Sequence, residues 1–193
     1  MIDPDVIRCL RPVADALSSL NVSYEVGGSV ASSAYGLARA TMDIDIVAAL
    51  KREHVDPLLA MLQPAYYVDR SAALAAVSTH ACFNLIHQDT MLKVDIFVMK
   101  DTAYDRLAMD RRRQEHALDG ENLGIFFYAP EDVILRKLAW YRMGDEASER
   151  QWRDVLGIIQ VQGKLLDEVY LRKWAKDLHV DDLLERAIAE SLP

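Results

Sequence analysis

The chain is sparing in the residues that staple a fold or interrupt it: two cysteines, six prolines and eight glycines in 193 positions. Two cysteines far apart, Cys9 and Cys82, give no disulfide framework, and both sit in apolar stretches, so they read as reduced core residues. Scarce glycine and proline, beside 51% hydrophobic and 27% charged residues, exclude a disordered or fibrous chain. A long apolar run is missing too. The longest stretch without formal charge, Ser71 to Gln88, is interrupted by Ser78, Thr79, His80, Asn84 and His87, which excludes a bilayer span there. Basic excess is also lacking: a net charge of −8 argues against a general electrostatic grip on nucleic acid. Arg111, Arg112 and Arg113 form a local basic run that reads as a solvated helix end. The opening, MIDPDVIRCL, puts acids where a secretory signal carries basic and then apolar residues, so the expectation is a cytoplasmic protein without a membrane partner.

What is present is one change of hydrophobic period, near Pro130. Before it, strand-like and helical runs alternate. A helix is expected from about Pro4 to Leu20 with a bend near Pro12, a strand at Tyr24 to Val26, and a short helix from about Ser29 to Gly36. Met42 to Ala49 reads as a strand, and Asp56-Pro57 as the start of a helix through Leu62. Cys82 to His87 and Leu92 to Met99 read as a hairpin around "QDT", and Gly124 to Tyr128 as a further strand. After Pro130 three or four helices fit. The expected class is therefore α/β of the α+β kind: a mixed sheet flanked by helices over residues 1–128, then a helical segment over 129–193.

Asp43 and Asp45 share one face of their strand while Met42, Ile44 and Ile46 hold the other, and "LKVDIFV" repeats the pattern with Asp95 opposite Val94, Ile96 and Val98. If these strands are neighbours, three carboxylates converge. Converging, partly buried anions raise one another's pKa, and a hard divalent cation such as Mg²⁺ relieves the conflict through oxygen ligands. Gly27 and Gly28 end a strand just before Ser29 opens a helix, an arrangement that suits either a tight turn or a phosphate approaching backbone N–H groups. His80 and His87 read as packing or solvent residues, and Trp140, Trp152 and Trp174 as core.

Taken together, "VGGSVASSAYGLARATMDIDIV" resembles the signature of the polymerase-beta-like nucleotidyltransferase superfamily, Gly-Ser followed after a short helix by Asp-x-Asp. Arg39 and Thr41 match its small bacterial members, and "LKVDIFV" resembles the strand of the third acid. The resemblance implies an enzyme in which Asp43, Asp45 and Asp95 hold two Mg²⁺ ions, with Mn²⁺ as an alternative, and Gly27, Gly28, Ser29, Arg39 and Thr41 serve the nucleoside triphosphate. "APEDVILRKLAWYRMGDEASERQWRDVLGII" is similar to the helical part of abortive-infection nucleotidyltransferase toxins, which would add Lys137 and Asp154 to the nucleotide site and imply an antitoxin partner. RNA such as tRNA, a protein or a small molecule would be the acceptor. The alternative is a non-catalytic nucleotide- or partner-binding module with the same fold.

Overall fold

The computed structural model describes residues 3–38, 40–41, 43–116 and 122–191. The first helix, α1 (Pro4–Ser19), starts where Asp3 Oδ1 accepts the Asp5 N–H at 2.8 Å and Pro4 occupies the first turn. Val6, Cys9, Leu10, Val13 and Leu17 recur at helical spacing and are all buried, and Pro12 sits inside the helix without ending it. Then follow β1 (Tyr24–Val26), α2 (Gly28–Tyr35), β2 (Asp43–Ala48), α3 (Arg52–Leu62), β3 (Tyr66–Val68), α4 (Arg70–Thr79), β4 (Cys82–His87), β5 (Lys93–Val98), α5 (Ala103–Arg111), β6 (Arg113–His116) and β7 (Asn122–Phe127). Four helices complete the described chain: α6 (Pro130–Met143), α7 (Glu149–Gln162), α8 (Glu168–Asp177) and α9 (Asp181–Ser191).

Among the described residues the strands form one seven-stranded sheet in the order β3-β4-β5-β2-β1-β7-β6. The pairings β2–β5 and β1–β7 are parallel and the others antiparallel, so the sheet is mixed, as expected. The alternation in β2 and β5 decides which side is core. Ile44, Ile46, Val94 and Ile96 are fully buried on one face, where α1 packs on β2 and α4 on β4 and β5. The opposite face carries Asp43, Asp45 and Val47 beside Lys93, Asp95 and Phe97. Helices α6 and α7 pack against α2 and each other, bringing the C-terminal helices up to that face. No helix among the described residues is long and apolar enough to cross a membrane.

Several expectations need correction. Helix α3 begins at Arg52, not at Asp56-Pro57: the Lys51 N–H donates to His54 Nδ1 at 3.0 Å, and Pro57 lies inside the helix. The apolar face Val55, Leu58, Leu59 and Leu62 starts before the proline and carries the helix through it. Cys82 is exposed, because strand β4 turns it away from the core that buries Cys9. His80 caps α4 in the left-handed conformation at φ 50°, with Nδ1 2.7 Å from the Met99 carbonyl. The arginine run is split between the end of α5 and the start of β6; Arg113 is exposed, while Arg111 and Arg112 are engaged. Arg111 bonds Glu131 at 3.0 Å and lies 3.7 Å over the Tyr170 ring, while Arg112 donates to the Met109 carbonyl at 2.6 Å.

Candidate active site

Register brings the sequence-predicted acids together. In the parallel β2–β5 pair, Asp45 stands opposite Asp95 and Asp43 opposite Lys93, so all four side chains leave the same face. Asp43 is exposed, Asp45 half-buried and Asp95 buried. Two cationic or amide groups already attend Asp95: Asn84 Nδ2 donates to Oδ1 at 2.6 Å, and Lys93 Nζ lies 2.8 Å from Oδ2. The same ammonium is 3.5 Å from Asp43 Oδ1. Burial pushes the Asp45 carboxyl above its ordinary range; Asp95 and Asp43 push the same way, against Lys137 and Lys93.

The glycines meet this cluster from the side. The Gly27 N–H donates to the Asp45 carbonyl at 2.8 Å, fastening the end of β1 to β2. Gly28 opens α2 at φ +56°, and a Cβ there would stand 1.7 Å from Asp45 Oδ2. Both the left-handed backbone and the touching carboxylate demand glycine at this position. A Cβ on Gly27 would come within 2.9 Å of the Tyr128 ring, so that ring lies directly on the turn.

A cleft of about 380 Å³ extends from Gly27, Gly28, Ser29 and Asp45 along the sheet face and under α6. Lys137 lines it and bonds Asp154 of α7 at 2.8 Å; both are buried. Thr41 stays at the start of β2, where its hydroxyl donates to the Asp43 carbonyl at 3.0 Å. Arg39 lies outside the described residues. The structure thus gathers Asp43, Asp45, Asp95, Gly27, Gly28, Ser29 and Lys137 around one place, with Asp154 behind Lys137.

Sequence reading missed the polar layer beside the cleft. Arg136, in the cleft wall, is bonded to Asp105 and lies 4.7 Å over the Tyr104 ring. Glu25 of β1, 1% exposed, is pushed up to about 8 by burial and then by Asp132, against Arg136, Tyr128 and Arg112. Its one legible signal is a lone charge in "YEV". Trp140 was expected in the core; it is 51% exposed and lines the cleft, whereas Trp152 and Trp174 are buried as expected.

The donor set fits a divalent cation in charge and chemistry: three carboxylates on one face, one of them driven up by burial and then by the Asp95 charge. Among the described residues, no three acidic, histidine or cysteine side chains are already drawn in closely enough to hold an ion. The Lys93 ammonium, between Asp43 and Asp95, offsets one of their two charges.

No protein-family model matches the chain, and no curated protein matches it. Solved structures do. ANT(2'')-Ia, an antibiotic-resistance factor, superposes in its complex with adenylyl-2''-tobramycin at a TM-score of 0.58, with 14% identity over 91% of this chain and 99% of that one. The lincosamide antibiotic adenylyltransferase LnuA, lincomycin-bound, gives 0.54 with 15% identity over 83% and 98%. A putative nucleotidyltransferase from Thermotoga maritima, TM1012, gives 0.52 with 20% identity over 80% and 96%. The superpositions run over nearly the whole length of each neighbour, and the chain has the nucleotidyltransferase fold that they share.

Proposed function

We propose that the protein is a metal-dependent nucleotidyltransferase that moves a nucleoside monophosphate from a nucleoside triphosphate to an acceptor. The observation that carries this reading is the in-register pairing of Asp45 with Asp95 beside a Gly28 that touches the Asp45 carboxylate. Asp43, Asp45 and Asp95 would hold Mg²⁺, or Mn²⁺ in its place, which supplies charge neutralisation at the triphosphate. The Gly27-Gly28-Ser29 turn offers backbone N–H groups and a hydroxyl to the phosphates at the start of α2. Lys137, held by Asp154, adds positive charge on the facing wall. Asp95, its Oδ1 held by Asn84 and its Oδ2 by Lys93, would help take the proton of the attacking group once the lysine gives way to substrate and metal. The new bond joins the acceptor to the α-phosphorus, the α–β phosphoanhydride bond breaks, and pyrophosphate leaves.

The acceptor class, whether an RNA such as tRNA, a protein or a small molecule, is open on the residues named here; ANT(2'')-Ia and LnuA, by their names, act on antibiotics. A toxin role, an antitoxin partner and a cytoplasmic location rest on the sequence reading alone. One observation favours the second reading, a nucleotide- or partner-binding module without turnover: the Lys93 ammonium already bridges Asp43 and Asp95, where a metal ion would sit.

Incubation with each labelled triphosphate, Mg²⁺ and a cell extract separates the two. The enzyme reading expects a labelled acceptor with the native chain and a loss of at least about 10²-fold in Asp45→Asn and Asp95→Asn. Equal labelling by the variants, or binding with no label transferred, contradicts it.

A further inference from the structure

Helix α6 turns one face to the cleft, with Val133, Arg136, Lys137 and Trp140 at i, i+3, i+4 and i+7. Lys137 and Asp45 line the same cleft, so this part of the helix faces the acids. Trp140 stands nearly one turn beyond it, about 4.5 Å along the axis. On the sheet side, Val47 and its register partner Phe97 lie two residues past Asp45 and Asp95, about 6.6 Å along the strands. Phe97 and Trp140 meet edge to face with centroids 5.7 Å apart. Within the width of a sugar, the cleft therefore changes on both walls from carboxylate and ammonium to aromatic and aliphatic surface.

Two details show that this end is unfinished as a core. Trp140 remains 51% exposed, although the chain buries its other two tryptophans to 7% and 9%. The Gln151 side-chain oxygen, also in the cleft wall, is shielded from solvent and has no hydrogen-bond partner among the described residues. Such an atom is costly unless a ligand brings an N–H to it. Lys100 and Arg150 line the same cleft and form no ion pair among the described residues, which suits an anionic ligand and opposes a polycation.

We propose that the apolar end of the cleft is the nucleobase subsite, in which Trp140 and Phe97 form a corner for the ring and Gln151 accepts an N–H from its edge. The inference rests on the nucleotidyltransferase reading, because the occupant follows from continuity with the phosphate turn: a flat ring tethered one sugar away from the phosphates reaches this corner. Aromatic stacking accepts any base, and the amide sets the preference among them.

The test uses the full chain with Mg²⁺, titrated calorimetrically with each of the four ribonucleoside triphosphates and, separately, with inorganic tripolyphosphate. The native protein should bind at least one nucleotide more tightly than tripolyphosphate. Trp140→Ala should weaken that nucleotide on the order of tenfold and leave tripolyphosphate unchanged, and Trp140→Phe, which keeps a ring, should retain most of the affinity. Quenching of tryptophan fluorescence by the nucleotide should vanish with Trp140→Phe. Equal loss for both probes in Trp140→Ala, or no loss for either, overturns the subsite. A native chain that binds neither probe overturns the nucleotidyltransferase reading itself.

Discussion

Glu25 is a carboxyl group buried on β1 beside the cleft, where burial and then Asp132 oppose its ionisation and Arg136 of the cleft wall favours it. Because its folded pKa, about 8, is above the ordinary 4.5, the folded chain keeps this proton while the unfolded chain releases it. Stability linked to Glu25 is thus full below about pH 4.5, declines as pH rises toward 8, and levels off once the folded group ionises. Glu25→Gln, which removes the titration and keeps the shape, should match the native melting temperature near pH 5 and exceed it by a few degrees at pH 8. Thermal melts of both proteins across that range check this; a constant difference would place the group's ionisation elsewhere. Legibility at this scale was uneven. Asp43, Asp45 and Asp95 stood out because a charge in an alternating apolar strand breaks a pattern. Glu25 breaks the same pattern in a strand of only three residues, too short for the alternation to be seen. Trp140 was misread because its helical spacing says only that it lies on a helix face, not whether another element covers that face.

Helices α6 and α7 are tied to each other beside the site by an ion pair, Lys137 with Asp154, at 2.8 Å and almost dry. Removing one member strands the other in a poorly hydrated place, so Lys137→Ala and Asp154→Ala should each cost about 3 kcal/mol. The double variant should cost clearly less than the sum, which urea unfolding of all four proteins measures. Additive costs would mean that each residue acts through separate partners. Among the elements, β1, β2, β4 and β5 were legible from alternation and from the turn residues between them. Helix α4 was not: "RSAALAAVST" is alanine-rich, only Ala73 and Ala76 of it are buried, and so no apolar stripe marks it. Strand β6 was hidden because "RQEH" has no apolar alternation to mark it, although its partner β7 is the next strand in the chain.

The molecule as a whole sets a mixed sheet with its oily face against α1 and α4 and its acidic face against a cleft roofed by α6. The fold class and the helical C-terminus could be read from one change of period, but the cleft could not. Its walls come from residues far apart in the chain, Gly28 and Asp45 on one side, Trp140 and Gln151 on the other. The division of roles between residues 1–128 and 129–193 is therefore proposed as one of chemistry, catalysis below and closure above, since α7 packs directly on α2. The central claim is that Asp45 and Asp95 create a demand for a divalent cation that a triphosphate completes. The direct measurement is a calorimetric titration of a nucleoside triphosphate with and without Mg²⁺ into the native chain, Asp45→Asn and Asp95→Asn. The account predicts binding by the native chain that requires Mg²⁺ and falls at least about tenfold in either variant. Binding that ignores both the metal and the two aspartates would contradict it.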